Sequence, residues 1–251
     1  MGESRSAGIQ WRRLLAESLA IIFSILLAFS IDAWWDGRQE RSRERDLLAG
    51  LLADFRNSRS GLEGRLVLAR RMAAGTAGFL DLVGAHEGMA TLTVPDSLVL
   101  AVLGGPTYEP ATNTLDAAVA SGEIERLTNG ELRAELAYWR RTLADTREDE
   151  LEVRRITDEQ LVPVLARSLD LSTYYARLLS WSGGDPDASG RLIAGRVSGP
   201  ATAVARVTVT TELSGLLALR GFYVDFAAAD LEDLLASLDR ATELIEGQLS
   251  P

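Results

Sequence analysis

The sequence contains no cysteine and no lysine, and His86 is its only histidine. Without cysteine the chain has no disulfide, no thiol nucleophile and no thiolate metal site. Without lysine it forms no Schiff base and lacks the lysine of a phosphate-binding loop. One histidine cannot supply a histidine-rich zinc site or the paired ligands of a di-metal bundle. We therefore expect no catalytic residues, no metal site and no cofactor, and predict that the protein is not an enzyme.

The charge of the chain is acidic but unevenly distributed. All 26 basic residues are arginines and face 36 acidic ones, which gives a net charge of −10. Residues 37–71 carry nine arginines against five acids, whereas residues 72–251 carry fourteen against 27. The basic stretch follows directly after an apolar segment, where anionic lipid headgroups would attract it. The acidic remainder predicts no nucleic-acid partner, because phosphate binding requires clustered positive charge.

That apolar segment, residues 14–35, has the length and the flanks of a transmembrane helix, and residues 1–13 form a tail before it. Its 22 residues extend roughly 33 Å as a helix, enough to cross a hydrocarbon core of about 30 Å. Trp11-Arg12-Arg13 precede it and Trp34-Trp35-Asp36 end it, as the two headgroup regions favour. A cleavable signal peptide is the alternative, with Ala28-Phe29-Ser30 as the cleavage site. The length of the apolar run and the tryptophan pair beyond that site favour an anchor.

Small and polar residues recur along one ridge of the predicted span. They define a transmembrane self-association face formed by Ala16, Glu17, Ala20, Ser24, Ala28 and Asp32. Small residues at four-residue spacing let two helix backbones approach closely, and buried polar groups then find partners across the contact. Two alternatives stay open: Glu17 pairs with Arg13 one turn earlier, or the polar residues line a path through the membrane.

The orientation of the span is less strongly encoded, because arginines lie on both sides of it. The Arg12-Arg13 pair directly before the apolar run resembles a signal-anchor sequence. We therefore predict a single-pass protein of the bacterial inner membrane with a periplasmic body, and a cytoplasmic body is the alternative.

Heptad spacing organises the rest of the chain. Between residues 37 and 84 apolar or small residues recur every seven positions, with further ones four residues beyond: Leu48, Phe55, Leu62, Ala69, Thr76 and Val83, then Leu52, Leu66, Ala73 and Leu80. A second heptad runs towards the C-terminus: Leu217, Val224, Leu231, Leu238 and Ile245. Such seams indicate long helices that pack as in coiled coils. Only Gly37 separates the membrane segment from the first seam, so we expect one continuous helix.

Shorter elements are predicted between the two seams. His86-Glu87-Gly88 closes the first helix, Pro95 opens a short helix that ends at Gly104-Gly105-Pro106, and another covers residues 113–121. Thr128 and Glu131 have capping-box spacing before a helix with Leu132, Leu136, Trp139 and Leu143 on one face, and Pro163 should kink or restart that helix. Residues 181–200 are rich in glycine and proline and predict a loop. Val207-Thr208-Val209-Thr210 has strand-like composition, but without an evident partner it is interpreted as the approach to a helix.

These elements predict an all-α fold: a single N-terminal transmembrane helix that continues into an antiparallel bundle of three to four long helices, residues 36–251. Carboxylates cluster at Glu148-Asp149-Glu150-x-Glu152 and at Asp230-x-Glu232-Asp233. We interpret both runs as solvated helix faces. His86, beside Glu87, is expected to cap carbonyls or meet solvent.

Two blocks of residues resemble an uncharacterised bacterial family of membrane-anchored proteins, a domain of unknown function. The first block is a glutamate at the start of the apolar helix, Glu17, with an Asp/Asn-x-Trp exit, Asp32-Ala33-Trp34. The second comprises Tyr108-Glu109-Pro110, Ala120-Ser121-Gly122, Asn129, Glu131-Leu132-Arg133 and Tyr138-Trp139. The resemblance implies a proline-containing turn, a short helix that ends in Ser-Gly and a helix with an aromatic pair. It implies no activity.

Two functions remain from different classes. The first is a membrane-anchored, non-enzymatic scaffold or sensor in the lipid bilayer, whose helical body binds an unidentified protein partner or itself as a homo-oligomer. The alternative is a subunit of a homo-oligomeric pore or channel, with Glu17, Ser24 and Asp32 facing the lumen.

Overall fold

The computed structural model describes residues 10–86, 88–105, 107–181 and 204–250, which form an all-α fold with one two-stranded sheet. The elements are α1 (Gln10–Gly84), β1 (Thr91–Pro95), α2 (Asp96–Leu103), α3 (Asn113–Ser121), a 3₁₀ turn (Ile124–Arg126), α4 (Gly130–Arg155), a π-helix (Ile156–Leu161), α5 (Val162–Ala166), α6 (Leu171–Trp181), β2 (Val204–Thr208) and α7 (Thr211–Leu249). The chain divides into two units, Met1–Gly50 and Leu51–Pro251.

Helix α1 is continuous from Gln10 to Gly84 and passes through Gly37 without a break. The prediction that the apolar segment continues into the body as one helix is therefore confirmed. The helix ends where the sequence indicated. Nδ1 of His86 lies 2.9 Å from the carbonyl oxygen of Leu82, and Gly88 has a φ of +89°, a conformation that few other residues adopt.

In the second unit, the later part of α1 packs with α4 and α7 as a bundle of three long helices. Ion pairs at the bundle surface fix the direction of α7 against both others. Arg56 pairs with Glu246 and Arg70 with Glu232, so α7 runs antiparallel to α1. On the other side the hydroxyl of Ser237 donates to Glu135, and Arg240 pairs with Glu131, so α7 also runs antiparallel to α4.

The core of the bundle follows the two predicted seams. All the seven-spaced residues of both seams are buried, including the five of α7, which are fully inaccessible. In α1 a second row of buried residues lies three positions beyond the first row. It comprises Leu51, Ser58, Met72 and Phe79. Of the residues predicted four beyond, Leu66 is buried and the others are half-buried. The face predicted for α4 is buried as well, and its Trp139 packs on Phe55 with ring centroids 5.4 Å apart.

The prediction that the Val207-Thr208-Val209-Thr210 stretch only approaches a helix is wrong. Strand β2 pairs with β1 in antiparallel register, with Leu92 opposite Val207 and Val94 opposite Ala205. These four side chains are buried in a cluster with the start of α7, while their neighbours on the other face are exposed. The partner strand lies more than a hundred residues upstream, so the pairing is a long-range contact that local composition does not reveal.

The remaining predicted elements agree with the structure except at one cap, whereas the 3₁₀ turn and α6 were not predicted. Helix α3 has the predicted bounds, and α2 begins directly after Pro95. The N-cap of α4 is Asn129 rather than Thr128, because the Asn129 side chain accepts hydrogen bonds from the amides of Glu131 and Leu132. Pro163 lies in the first turn of α5, which follows the π-helix directly with the backbone still helical at the junction. The loop predicted at residues 181–200 lies outside the described residues beyond Trp181.

Candidate functional site

Helix α1 contains the one segment of the described chain that is long and apolar enough to cross a membrane. None of that apolar window is buried, which distinguishes it from the core helix of a soluble protein. Its large side chains, such as Ile22, Phe23 and Phe29, are all at least half-exposed. So much apolar surface left in water would be strongly unfavourable, so the segment requires lipid or protein around it.

The predicted self-association face lies within this segment and is exposed along its length. At about 100° per residue, Ala20, Ser24 and Ala28 span roughly 80° of the helix circumference, with Glu17 between the last two. Ala16 and Asp32 lie at opposite edges, roughly 160° apart. The hydroxyl of Ser24 donates to the carbonyl oxygen of Ala20 at 2.8 Å. Ser24 thus satisfies its own donor within the helix, which lowers the cost of placing it in lipid.

The second unit contains a buried carboxyl that the sequence analysis assigned wrongly to a solvated face. Glu150 on α4 is only 6% exposed. Its Oε2 accepts a hydrogen bond from the backbone N–H of Tyr108 at 3.3 Å, and its Oε1 is buried without a hydrogen-bond partner among the described residues. Burial raises the pKa of Glu150 to about 7. The charges of Arg154, Arg65 and Arg147 oppose this rise, and about half of the Glu150 carboxyls are protonated near neutral pH.

Ser58 of α1 holds the loop between α2 and α3 in place at two points, Tyr108 and Ala111. The Tyr108 hydroxyl donates to the backbone carbonyl oxygen of Ser58 at 3.3 Å, and the Ser58 hydroxyl accepts from the amide of Ala111 at 3.0 Å. Burial raises the pKa of Tyr108 to about 12, so the ring stays neutral. This anchored loop forms one wall of a cavity beside Glu150.

We call this cavity the Glu150 cavity; it has a volume of about 230 Å³ and is lined by Thr107, Tyr108, Glu109, Arg147, Glu150, Leu151 and Arg154. A larger cavity of about 410 Å³ lies between α3 and α4, lined in part by Leu115, Val119, Arg133 and Arg140. None of the buried polar atoms without a partner in the described chain belongs to a residue that lines the larger cavity. The Glu150 cavity lies beside a buried carboxyl, and the larger cavity does not.

A second buried charge, Arg220 on α7, makes four hydrogen bonds to neutral partners. Its guanidinium donates to the hydroxyls of Thr76 and Thr157 and to the carbonyl oxygens of Ala101 and Gly104. Burial lowers its pKa to about 9, which leaves it protonated at neutral pH. The contacts join α1, α2, the π-helix and α7. We interpret Arg220 as a structural cross-link.

The other carboxylates of the two acidic runs lie on solvated helix faces as predicted, except for one pair. Glu152 pairs with Arg155 at 2.8 Å at the surface, as expected of a solvated face. Asp149 and Asp230, however, face each other between α4 and α7. The pKa of Asp230 is raised to about 6, first by burial and then by the charge of Asp149, and burial also raises the pKa of Asp149. No group of three or more acidic or histidine side chains in the described ranges is arranged to hold a metal ion.

The second block of residues that carry the family resemblance lies in the second unit, where its members have structural positions. Tyr108 anchors the loop, Gly122 ends α3 with a φ of +74°, Asn129 caps α4, and Trp139 is buried. Comparisons with known protein families, with curated proteins and with solved structures give no match to the chain.

Proposed function

We propose that the protein is a membrane-anchored, non-enzymatic scaffold or sensor, held in the bacterial inner membrane by residues 14–35 with its helical body in the periplasm. The observation that carries this proposal is the apolar segment of α1, in which no residue is buried and which continues as one helix into the second unit. A body joined to its membrane segment by one continuous helix suits a protein that reports on, or organises, events next to the membrane.

We further propose that the chain self-associates through the ridge formed by Ala20, Ser24 and Ala28, with Glu17 beside it. Replacing Ser24 with isoleucine would push two helix backbones apart while it keeps the segment apolar. Contacts between helices in lipid contribute about 1 kcal/mol each, so losing several should weaken association about tenfold or more. Phe23→Met, on another face of the helix, is the matched control. Equal association of the two variants in a bilayer reporter assay would contradict the proposed face.

The pore alternative makes a different prediction from the same residues. A homo-oligomeric pore lined by Glu17 and Asp32 would conduct ions in reconstituted bilayers, and Glu17→Gln would change its selectivity. A scaffold would associate without conductance.

The orientation is tested by Ser60→Cys, since the chain has no cysteine and Ser60 is exposed. An impermeant maleimide should label it in intact spheroplasts if the body is periplasmic.

A further inference from the structure

We propose that three arginines just beyond the apolar segment of α1 bind the headgroup of an anionic phospholipid. Arg38, Arg41 and Arg45 form this site, which we call the arginine ridge. The inference rests on the proposed membrane anchor and deepens it, because it names the class of lipid that the anchor selects and the side chains that select it.

The arginine ridge lies on one face of α1, apart from the acids of the same stretch. At about 100° per residue, its three arginines span roughly 60° of the helix circumference, and Trp34 lies within the same arc. Residues 36–46 carry four arginines and four acids. All the acids lie outside the arc of the ridge: Asp36, Glu40, Glu44 and Asp46. The stretch therefore has no net charge, but its positive charge is concentrated on one side of the helix.

Two side chains of the arginine ridge point back towards the apolar segment. The Cζ atom of Arg38 lies 5.8 Å from the centroid of the Trp34 ring. The Nε–H of Arg41 donates to the carbonyl oxygen of Gly37 at 3.0 Å. Both contacts reach one turn towards the N-terminus, the direction in which the side chains of an α-helix tilt. Because the apolar segment lies on that side, these guanidinium groups are directed towards the membrane surface.

The arginine ridge begins at the depth where lipid phosphates lie. Trp34 and Trp35 end the apolar segment, and tryptophan favours the boundary between hydrocarbon and headgroups. At about 1.5 Å per residue, Arg38 lies roughly 4.5 Å beyond Trp35 and Arg41 roughly 9 Å, next to a headgroup layer of roughly 5–8 Å. Arg45 lies roughly 15 Å beyond Trp35, where its long side chain can extend back towards the same layer.

The chemistry of the arginine ridge favours an anionic lipid over a zwitterionic one. Guanidinium groups bind phosphate oxygens through paired, charge-assisted hydrogen bonds. All three arginines are exposed, so a headgroup can approach them without rearrangement of the helix. Phosphatidylglycerol presents a net negative charge, whereas phosphatidylcholine carries an ammonium group beside its phosphate. A soluble phosphate is a poorer occupant, because only a lipid holds its phosphate at the depth of the ridge.

The test uses the full-length protein with Trp11→Phe in phosphatidylcholine vesicles that contain a small fraction of phosphatidylglycerol brominated in its acyl chains. Bromine quenches tryptophan fluorescence on contact, and this background leaves Trp34 and Trp35 as the only tryptophans next to the apolar segment. Brominated phosphatidylcholine at the same fraction is the reference. We expect phosphatidylglycerol to be enriched at the two tryptophans at least about fivefold, the factor that one arginine near an anionic surface provides.

Arg41→Gln and Arg43→Gln form a matched pair of variants. Both residues are exposed and both substitutions remove one positive charge, but Arg43 lies roughly 160° around the helix from Arg41. Arg41→Gln should lower the enrichment at least about twofold, and Arg43→Gln should leave it unchanged. Combining Arg38→Gln, Arg41→Gln and Arg45→Gln should abolish it. Because these side chains are exposed, the variants are expected to fold as the native chain does.

Two results would overturn the lipid site and leave the anchor in place. The first is equal quenching by the two brominated lipids. The second is an equal loss of enrichment in Arg41→Gln and Arg43→Gln, which would show a diffuse surface charge rather than a site on one face. Absence of quenching by either lipid would contradict the anchor itself, and the arginine ridge with it.

Discussion

Replacing Glu150 with glutamine should make the helical body less sensitive to pH. The native carboxyl has a pKa raised by burial from 4.5 to about 7. A raised carboxyl pKa means that the folded state binds the proton more tightly than the unfolded state does. The stabilisation from this proton is complete below the unfolded pKa of 4.5 and is lost as the pH rises through about 7.

The magnitude follows from the size of that shift. At about 1.36 kcal/mol per pKa unit, a change from 4.5 to about 7 corresponds to roughly 3 kcal/mol of unfolding free energy, as an order of magnitude. Glutamine is a neutral mimic of the protonated carboxyl and can accept from the Tyr108 amide in the same way. The variant should therefore exceed the stability of the native protein by only about 1 kcal/mol near about pH 5 and by roughly 3 kcal/mol near about pH 8.

Urea denaturation of both full-length proteins in detergent, followed by far-UV circular dichroism, measures this difference. The raised pKa of Asp230 also makes the unfolding free energy fall as the pH rises, and it does so in both proteins. Only the difference between the two proteins therefore reports on Glu150. Asp81→Asn, which removes an exposed carboxylate of α1, is the control and should leave the difference from the native protein the same at both pH values. A difference between variant and native protein that is the same near about pH 5 and about pH 8 would refute the assignment of Glu150 as a buried titrating group.

Three further predictions concern the fold, and each can be measured by the same denaturation assay. Arg220→Met should reduce the unfolding free energy by about 2–5 kcal/mol, because it leaves the buried carbonyl oxygens of Ala101 and Gly104 without donors; a change below about 0.5 kcal/mol would contradict the cross-link. Asn129→Ala should cost about 1 kcal/mol through the lost cap of α4. Val94→Ala should cost about 2 kcal/mol, since Val94 is fully buried in the sheet, whereas Thr93→Ala on the exposed face should change little.

The long helices could be predicted from the sequence because their signals are local and repeated. The α7 heptad and the first seam of α1 each place an apolar side chain on the same face every two turns. Pro95 and the turn before residue 113 act within a few residues, and so α2 and α3 begin where expected. The sheet was missed for the opposite reason. β1 and β2 are short, and the alternation of Thr91–Pro95 has meaning only once β2 is placed beside it.

Both buried charges left a signal in the sequence that the helical period could have exposed. The face Leu132, Leu136, Trp139 and Leu143 continues in steps of three and four to Thr146, Glu150 and Val153, so Glu150 falls on the apolar side of α4. In α7 the positions three beyond the heptad leucines include Arg220 among small and apolar residues. What the sequence could not provide is the partners. The carbonyl oxygens around Arg220 and the loop beside Glu150 come from segments distant in the chain.

Membrane anchoring by residues 14–35 is tested most directly by the intact mass of the protein recovered from bacterial membranes after an alkaline carbonate wash. We predict that the chain stays in the washed membranes and has the mass of the uncut sequence, with at most the initiator methionine removed. Recovery in the soluble fraction, or a mass that begins after Ser30, would show a cleaved signal peptide and contradict the anchor.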